Sequence, residues 1–147
     1  MLTRLLLLIA VWVAAPAFAT EAAQAAYMLN CQGCHLEDGR GYPARQVPSF
    51  RGQLGKYLRV PGGREFLVRV PGSAQTGLSD AQLAQVLNWM LRTFSPEQLP
   101  SDFSAYSASE VHPLRQQPLV NVTQVRRALL ARVAQYEHRL GQGHGDD

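Results

Sequence analysis

The sequence predicts an all-α fold. Two segments, 80–94 and 119–140, repeat apolar residues three and four positions apart, which is the spacing of an amphipathic helix. The stretches between them are rich in glycine and proline and are typical of loops. No stretch alternates apolar and polar residues for long enough to form a sheet. The 147 residues are enough for one domain with an appendage.

Residues 1–19 are predicted to be a secretory signal peptide. Arg4 precedes an apolar run from Leu5 to Ala15, and residues 17–19, Ala-Phe-Ala, have the small-residue pattern of a cleavage site. The run is too short for a stable membrane-spanning helix, so we expect membrane association only if the segment stays uncleaved. Removal of Arg4 lowers the formal charge from +3 to +2, which gives no indication of a nucleic-acid partner. The predicted location is the periplasm.

The exported chain is expected to begin with a domain over residues 20–97 that contains three helices. The first, at about 21–30, is rich in alanine, which allows another helix to approach closely. A short helix at 63–70 lies between two Pro-Gly pairs. The third helix follows Ser79, which forms a predicted capping box with Gln82, and it ends before Pro96.

The rest of the chain is predicted to be a linker at 98–118, rich in proline and serine, and a C-terminal amphipathic helix with a tail at 119–147. One face of this helix carries Val122, Val125, Leu129, Val133, Tyr136 and Leu140, and its arginines, Arg126, Arg127, Arg132 and Arg139, lie mostly elsewhere. Isolated helices of this length are marginal in water. We therefore expect the apolar face to be covered, either by the domain or by a partner protein.

Both cysteines of the chain lie in one short motif. Cys31 and Cys34 are three residues apart, and His35 follows directly. Helical residues three apart share a face, so the two thiols can each bond to a vinyl group at one edge of a porphyrin while the histidine offers a ring nitrogen to the iron. The motif predicts one covalently attached haem c, with Cys31 and Cys34 as anchors and His35 as the proximal iron ligand.

Three other interpretations of the cysteine pair stay open. A thioredoxin-like redox pair is typical of a βαβ setting, which the pattern does not show. A structural zinc site needs about four ligands, and His112, His138 and His144 are distant in sequence. In an oxidising compartment the pair favours a local disulfide with an incidental histidine.

The residues around the motif resemble the haem-binding start of the small monohaem cytochromes c of the mitochondrial and bacterial class I type. Tyr27 precedes the motif and Asp-Gly-Arg-Gly at 38–41 follows it, as is usual in that family. Residues 47–52, VPSFRG, resemble its next signature, and Trp89 resembles the aromatic residue of its last helix. The resemblance covers about 21–95 and implies a cytochrome c-like fold, here with a C-terminal helical extension.

The resemblance implies a one-electron carrier without catalytic residues of its own. Its implied partners are other redox proteins, such as a periplasmic dehydrogenase or a terminal oxidase. It also implies that the Pro48 carbonyl bonds to the second ring nitrogen of His35, which fixes the ring. Trp89 is expected to pack against the first helix near Ala23 and Ala26.

The sequence departs from this family at the distal side of the iron. The family usually has a methionine in the loop before the last helix, but residues 70–80, VPGSAQTGLSD, contain neither methionine nor histidine. The candidate distal ligands are Met90, whose helical position is more typical of packing, and His112. Gln75 would be a weak ligand, and a vacant or water-filled site is the fourth option.

The missing methionine leaves two alternative functions open. One is a haem protein with an open distal site, which binds small ligands or has peroxidatic activity. The other is a cytochrome subunit of a periplasmic dehydrogenase complex, anchored there by the C-terminal helix.

Overall fold

The computed structural model describes residues 15–142, with side chains from residue 19 onward. In this range the chain is helical and contains no β-strand, so the all-α prediction is confirmed. The helices are α1 (Ala15–Asn30), α2 (Gln32–His35), α3 (Leu54–Tyr57), α4 (Gly63–Arg69), α5 (Pro71–Ala74), α6 (Asp80–Phe94), α7 (Ala108–Arg115) and α8 (Val122–Gln142). Two short 3-10 helices, Pro43–Arg45 and Pro96–Gln98, complete the described elements.

Within the described residues, helix α1 already includes Ala15 and so starts earlier than residue 21. The alanines before residue 21 extend the helix because alanine is the strongest helix former. Most of the predicted signal peptide, residues 1–14, lies outside the described residues. None of the helices within residues 15–142 is long and apolar enough to cross a membrane.

Helices α1 and α6 pack against each other through an aromatic cluster. Tyr27 of α1 is almost fully buried, and its ring lies 5.2 Å from the rings of both Trp89 and Phe94 on α6. Trp89 and Phe94 meet edge to face at 5.4 Å, a favoured geometry for aromatic pairs. Trp89 therefore packs on the first helix, as the resemblance implied.

Helix α6 supplies the central wall of the core. Its predicted capping box is present: the Ser79 hydroxyl accepts from the Gln82 amide at 3.2 Å, and the Gln82 side chain accepts from the Ser79 amide at 2.9 Å. One stripe of the helix is buried and consists of Leu83, Ala84, Val86, Leu87, Met90 and Leu91. The short helix predicted at 63–70 is α4.

Helix α7 lies inside the segment that the sequence pattern predicted to be a linker. Ser107 caps the helix by accepting from the Glu110 amide, and Val111 is fully buried. Just before it, the backbone of Tyr106 is held by the Asn88 amide group of α6 through bonds of 2.8 and 2.9 Å. The linker expectation is therefore wrong for 108–115, and Pro113 within the helix explains why the pattern missed it.

Helix α8 packs on the domain. Leu129 and Val133 are buried, while Leu140, at the end of the predicted apolar face, is 48 % exposed. Polar contacts to α3 and its following turn flank the apolar contact: Lys56 pairs with Glu137 at 2.9 Å, and Arg132 donates to the Pro61 carbonyl at 3.1 Å. The apolar face is thus covered by the chain itself.

Candidate functional site

The Cys-x-x-Cys-His motif forms one extra helical turn after α1. The Cys31 amide donates to the Tyr27 carbonyl at 2.8 Å, and the His35 amide donates to the Cys31 carbonyl at 3.0 Å. Both cysteines are free thiols, Cys31 half-buried and Cys34 exposed. Burial raises the pKa of the Cys31 thiol to about 11. At neutral pH this thiol is therefore protonated.

The ring of His35 is held in one orientation. Its Nδ1 lies 3.3 Å from the Pro48 carbonyl oxygen, and its face stacks on Phe50 with ring centroids 3.8 Å apart. Since a carbonyl only accepts, Nδ1 carries the hydrogen in this contact and Nε2 keeps its lone pair. The expected contact between Pro48 and His35 is present.

Burial lowers the pKa of His35, and the positive charge of Arg126 lowers it further, against the opposing effect of the hydrogen bond to Pro48. The imidazole is therefore neutral at physiological pH. A neutral ring with a free lone pair is the form that binds a metal.

Gly41 allows the backbone to bring Pro48 next to His35. Its φ of 67° lies in the left-handed region, which glycine adopts without strain, and its amide donates to the His35 carbonyl at 3.0 Å. A Cβ atom at Gly41 would overlap the Pro48 carbonyl. The loop therefore requires glycine at this position.

The motif opens onto a mainly apolar cavity of about 310 Å³, within the size range of small-molecule sites. Cys31, Cys34 and His35 lie at one side of it. The other walls come from the loop 48–50, α3, α4, the segment 70–78, α6 and α8. Their side chains include Phe50, Leu54, Tyr57, Phe66, Leu67, Val70, Thr76, Leu78, Leu83, Val86, Leu87, Met90, Val122 and Arg126. The cavity thus joins the motif to α6 and to the C-terminal helix α8.

The candidate distal ligands occupy different places. Met90 is buried and lines the cavity. His112 does not line it: it is a mostly exposed residue of α7, with Nδ1 2.7 Å from a carboxylate oxygen of Asp80. Gln75 is exposed and also lies outside the cavity wall. The structure therefore brings Met90, and not His112 or Gln75, to the cavity of His35.

Sequence reasoning missed two arginines near this cavity. Arg126 lines it from α8, and its position four residues after Val122 and three before Leu129 was a signal that it shares the covered face. Arg115 of α7 donates to the carbonyls of Ala74, Thr76 and Leu78 and so holds the segment before α6. No local pattern marks that role.

The described residues include no group of three or more histidine, cysteine, aspartate or glutamate side chains placed to hold a metal ion. The cysteine pair also lies in a helical turn between helices, not in a βαβ unit.

No family model matches the chain. Two curated relatives are both named cytochrome c-552, and both come from Thermus thermophilus. Each is 29 % identical over 108 residues, which cover 61 % of this chain and 82 % and 72 % of the respective relatives. The chain is therefore distantly similar to proteins named cytochrome c-552.

Proposed function

We propose that this protein is an exported monohaem c-type cytochrome that carries single electrons between redox proteins. The main support for the proposal is the helical turn at residues 31–35. Two thiols and an oriented neutral imidazole, all from residues 31–35, line one mainly apolar cavity. The similarity to proteins named cytochrome c-552 supports the same conclusion.

The residues around the cavity fit a haem. Cys31 and Cys34 would form the thioether bonds, and His35 would bind the iron through Nε2. Nε2 has no hydrogen-bond partner among the described residues. Apolar side chains of α4 and α6 would cover the flat apolar faces of the macrocycle. One covalent haem would thus bind both thiols, Nε2 of His35 and the apolar walls at the same time.

A bound haem would supply a centre that gains and loses one electron reversibly. The role of the protein is to hold that centre in a geometry that does not change when the electron arrives or leaves. Pro48 keeps the His35 ring in one tautomer and orientation, which makes Nε2 a better and more constant ligand. The apolar walls exclude water. Exposed Cys34 marks the edge where redox partners, such as a periplasmic dehydrogenase or a terminal oxidase, would dock weakly.

Covalent attachment is tested with the Cys31→Ala/Cys34→Ala double variant, expressed in cells that mature c-type cytochromes. Haem staining of a denaturing gel should give a band for the wild type and none for the double variant. The matched control is His35→Ala, which should keep the stained band but give a high-spin absorption spectrum. A stained band in the double variant would contradict the proposal.

A second function, that of a haem protein whose open distal site binds small ligands, is favoured by one specific observation. Residues 71–79 line the cavity with Pro71, Gly72, Ser73, Thr76 and Leu78, none of which is a strong iron ligand. Met90 would then be a packing residue, as its place in the buried stripe of α6 indicates. An open iron would bind small molecules and allow peroxidatic activity.

Carbon monoxide distinguishes the two functions. In the electron carrier with Met90 as ligand, the reduced spectrum should resist carbon monoxide and Met90→Leu should open the site. With an open site, the wild type should bind carbon monoxide at once, and Met90→Leu should leave the spectrum nearly unchanged, because leucine fills a similar volume at a cost under about 1.5 kcal/mol.

The subunit alternative has less support because α8 uses its apolar face within its own chain. We propose instead that residues 20–97 and residues 98–142 form one folded unit. We also propose that residues 1–19 are removed during export to the periplasm. The mass of the mature protein, recovered from a periplasmic extract, tests the cleavage site after residue 19.

A further inference from the structure

Among the described residues, Arg126 is the one Asp, Glu, Lys or Arg side chain that lines the cavity. It comes from α8, the helix of the C-terminal extension, and Val122 lines the cavity one turn before it. Leu129 and Val133 anchor the helix in the core, and the pair between Lys56 and Glu137 holds it at 2.9 Å. The guanidinium is thus fixed in the cavity wall by packing on both sides of it.

Within residues 15–142, the Nε atom of Arg126 is buried and has no hydrogen-bond partner. No salt bridge joins this arginine to a described carboxylate. Its charge acts on the cavity. Burial raises the pKa of Tyr57, and Arg126 opposes that rise. Arg126, Tyr57 and His35 all line this cavity.

A guanidinium taken partly out of water is costly unless an anion pairs with it. The described part of the cavity wall contains no aspartate or glutamate, so the anion has to arrive with the ligand. A haem carries propionate carboxylates, and a carboxylate matches the planar fork of arginine through charge-assisted hydrogen bonds. Because these carboxylates are part of the cofactor, they would satisfy Arg126 whenever haem is attached, which a small diffusing anion would not.

We propose that Arg126 binds a haem propionate and so joins the C-terminal helix to the cofactor; this rests on the proposed haem site. Two consequences follow. The arginine charge disfavours the extra positive charge of ferric iron, so it raises the reduction potential. The pairing also fixes the propionate in one hydrogen-bonded state, which haem vibrational spectra report directly.

The test compares Arg126→Met with Arg127→Met, which removes an exposed arginine from the next position of the same helix. Arg126→Met should shift the equilibrium about tenfold toward the ferric form, which is about 59 mV for a one-electron couple. Its propionate bending band in the resonance Raman spectrum should also move. Arg127→Met should match the wild type in both measurements. If the methionine variant gives too little holoprotein, Arg126→Gln is measured in its place.

The outcomes separate this inference from the haem proposal. A chain without haem staining defeats the haem proposal itself. A stained protein in which Arg126→Met and Arg127→Met share the wild-type potential and propionate band overturns the role of Arg126. An unmoved propionate band combined with weaker cyanide binding to the ferric form also overturns it, since the arginine would then face the iron. Arg126→Lys, which keeps the charge, should recover most of the potential.

Discussion

Replacing Arg115 with methionine should destabilise the protein more than any other surface substitution in α7. The guanidinium donates to three backbone carbonyls, those of Ala74 at 3.2 Å, Thr76 at 2.7 Å and Leu78 at 2.7 Å. It also bonds to the Asp80 carboxylate at 3.0 Å. Methionine keeps most of the apolar stem but donates no hydrogen bond, so the loss isolates the polar contacts.

The magnitude follows from the geometry. The Arg115 side chain is only 12 % exposed, so water replaces its bonds poorly. Each hydrogen bond contributes about 1 kcal/mol net, and the three carbonyl bonds together about 3 kcal/mol. For a domain of this size that corresponds to a fall in Tm of roughly 10 °C.

Thermal unfolding of the holoprotein, followed by circular dichroism, measures the effect. Arg132→Met is the matched control, because that arginine is exposed and makes one carbonyl bond, to Pro61. We expect the control to change the unfolding free energy by less than about 1 kcal/mol. Equal melting temperatures for the two variants would refute the idea that Arg115 holds the segment between α5 and α6.

Three further predictions concern other contacts. Gly41→Ala should displace the carbonyl that holds His35 and change the haem absorption spectrum; an unchanged spectrum would show that the loop absorbs the Cβ atom. Hydrogen bonds from His112 and Arg115 lower the pKa of Asp80. The Asp80 carboxylate thus binds protons less readily in the native protein than in the unfolded chain. Its contribution to the free energy of unfolding is therefore present above about pH 4 and should be lost as the pH drops further. In urea unfolding, Asp80→Asn should lose less stability between neutral and acid pH than the wild type does. Leu129→Asp should lower Tm while the protein stays monomeric in sedimentation, and an unchanged Tm would mean that α8 is not packed in solution.

The elements that the sequence predicted well depend on neighbours in the chain. The turn at 31–35 is closed by backbone bonds between residues four apart. The capping box joins Ser79 and Gln82 across three positions. The buried stripe of α6 follows from helical spacing alone. For the same reason, the motif identified the cavity-lining residues Cys31, Cys34 and His35 without any knowledge of the rest of the fold.

Sequence reasoning failed where a residue's role depends on distant partners. Helix α7 has little amphipathic pattern, yet Val111 is fully buried. His112 was a candidate ligand on chemical grounds, but α7 directs it to Asp80 and away from the cavity. Local periodicity carries no information about such contacts, because they exist only once separate helices have packed.

The sequence by itself determined the all-helical class, the capped helix α6 and the motif that points to haem. The tertiary structure alone decided that α8 closes the cavity of His35 and so brings Arg126 to the cavity wall. The physical reason is the range of the interactions. Backbone hydrogen bonds within a turn are specified by a few adjacent residues, whereas the place of α8 depends on apolar side chains such as Leu129 meeting helices encoded far away.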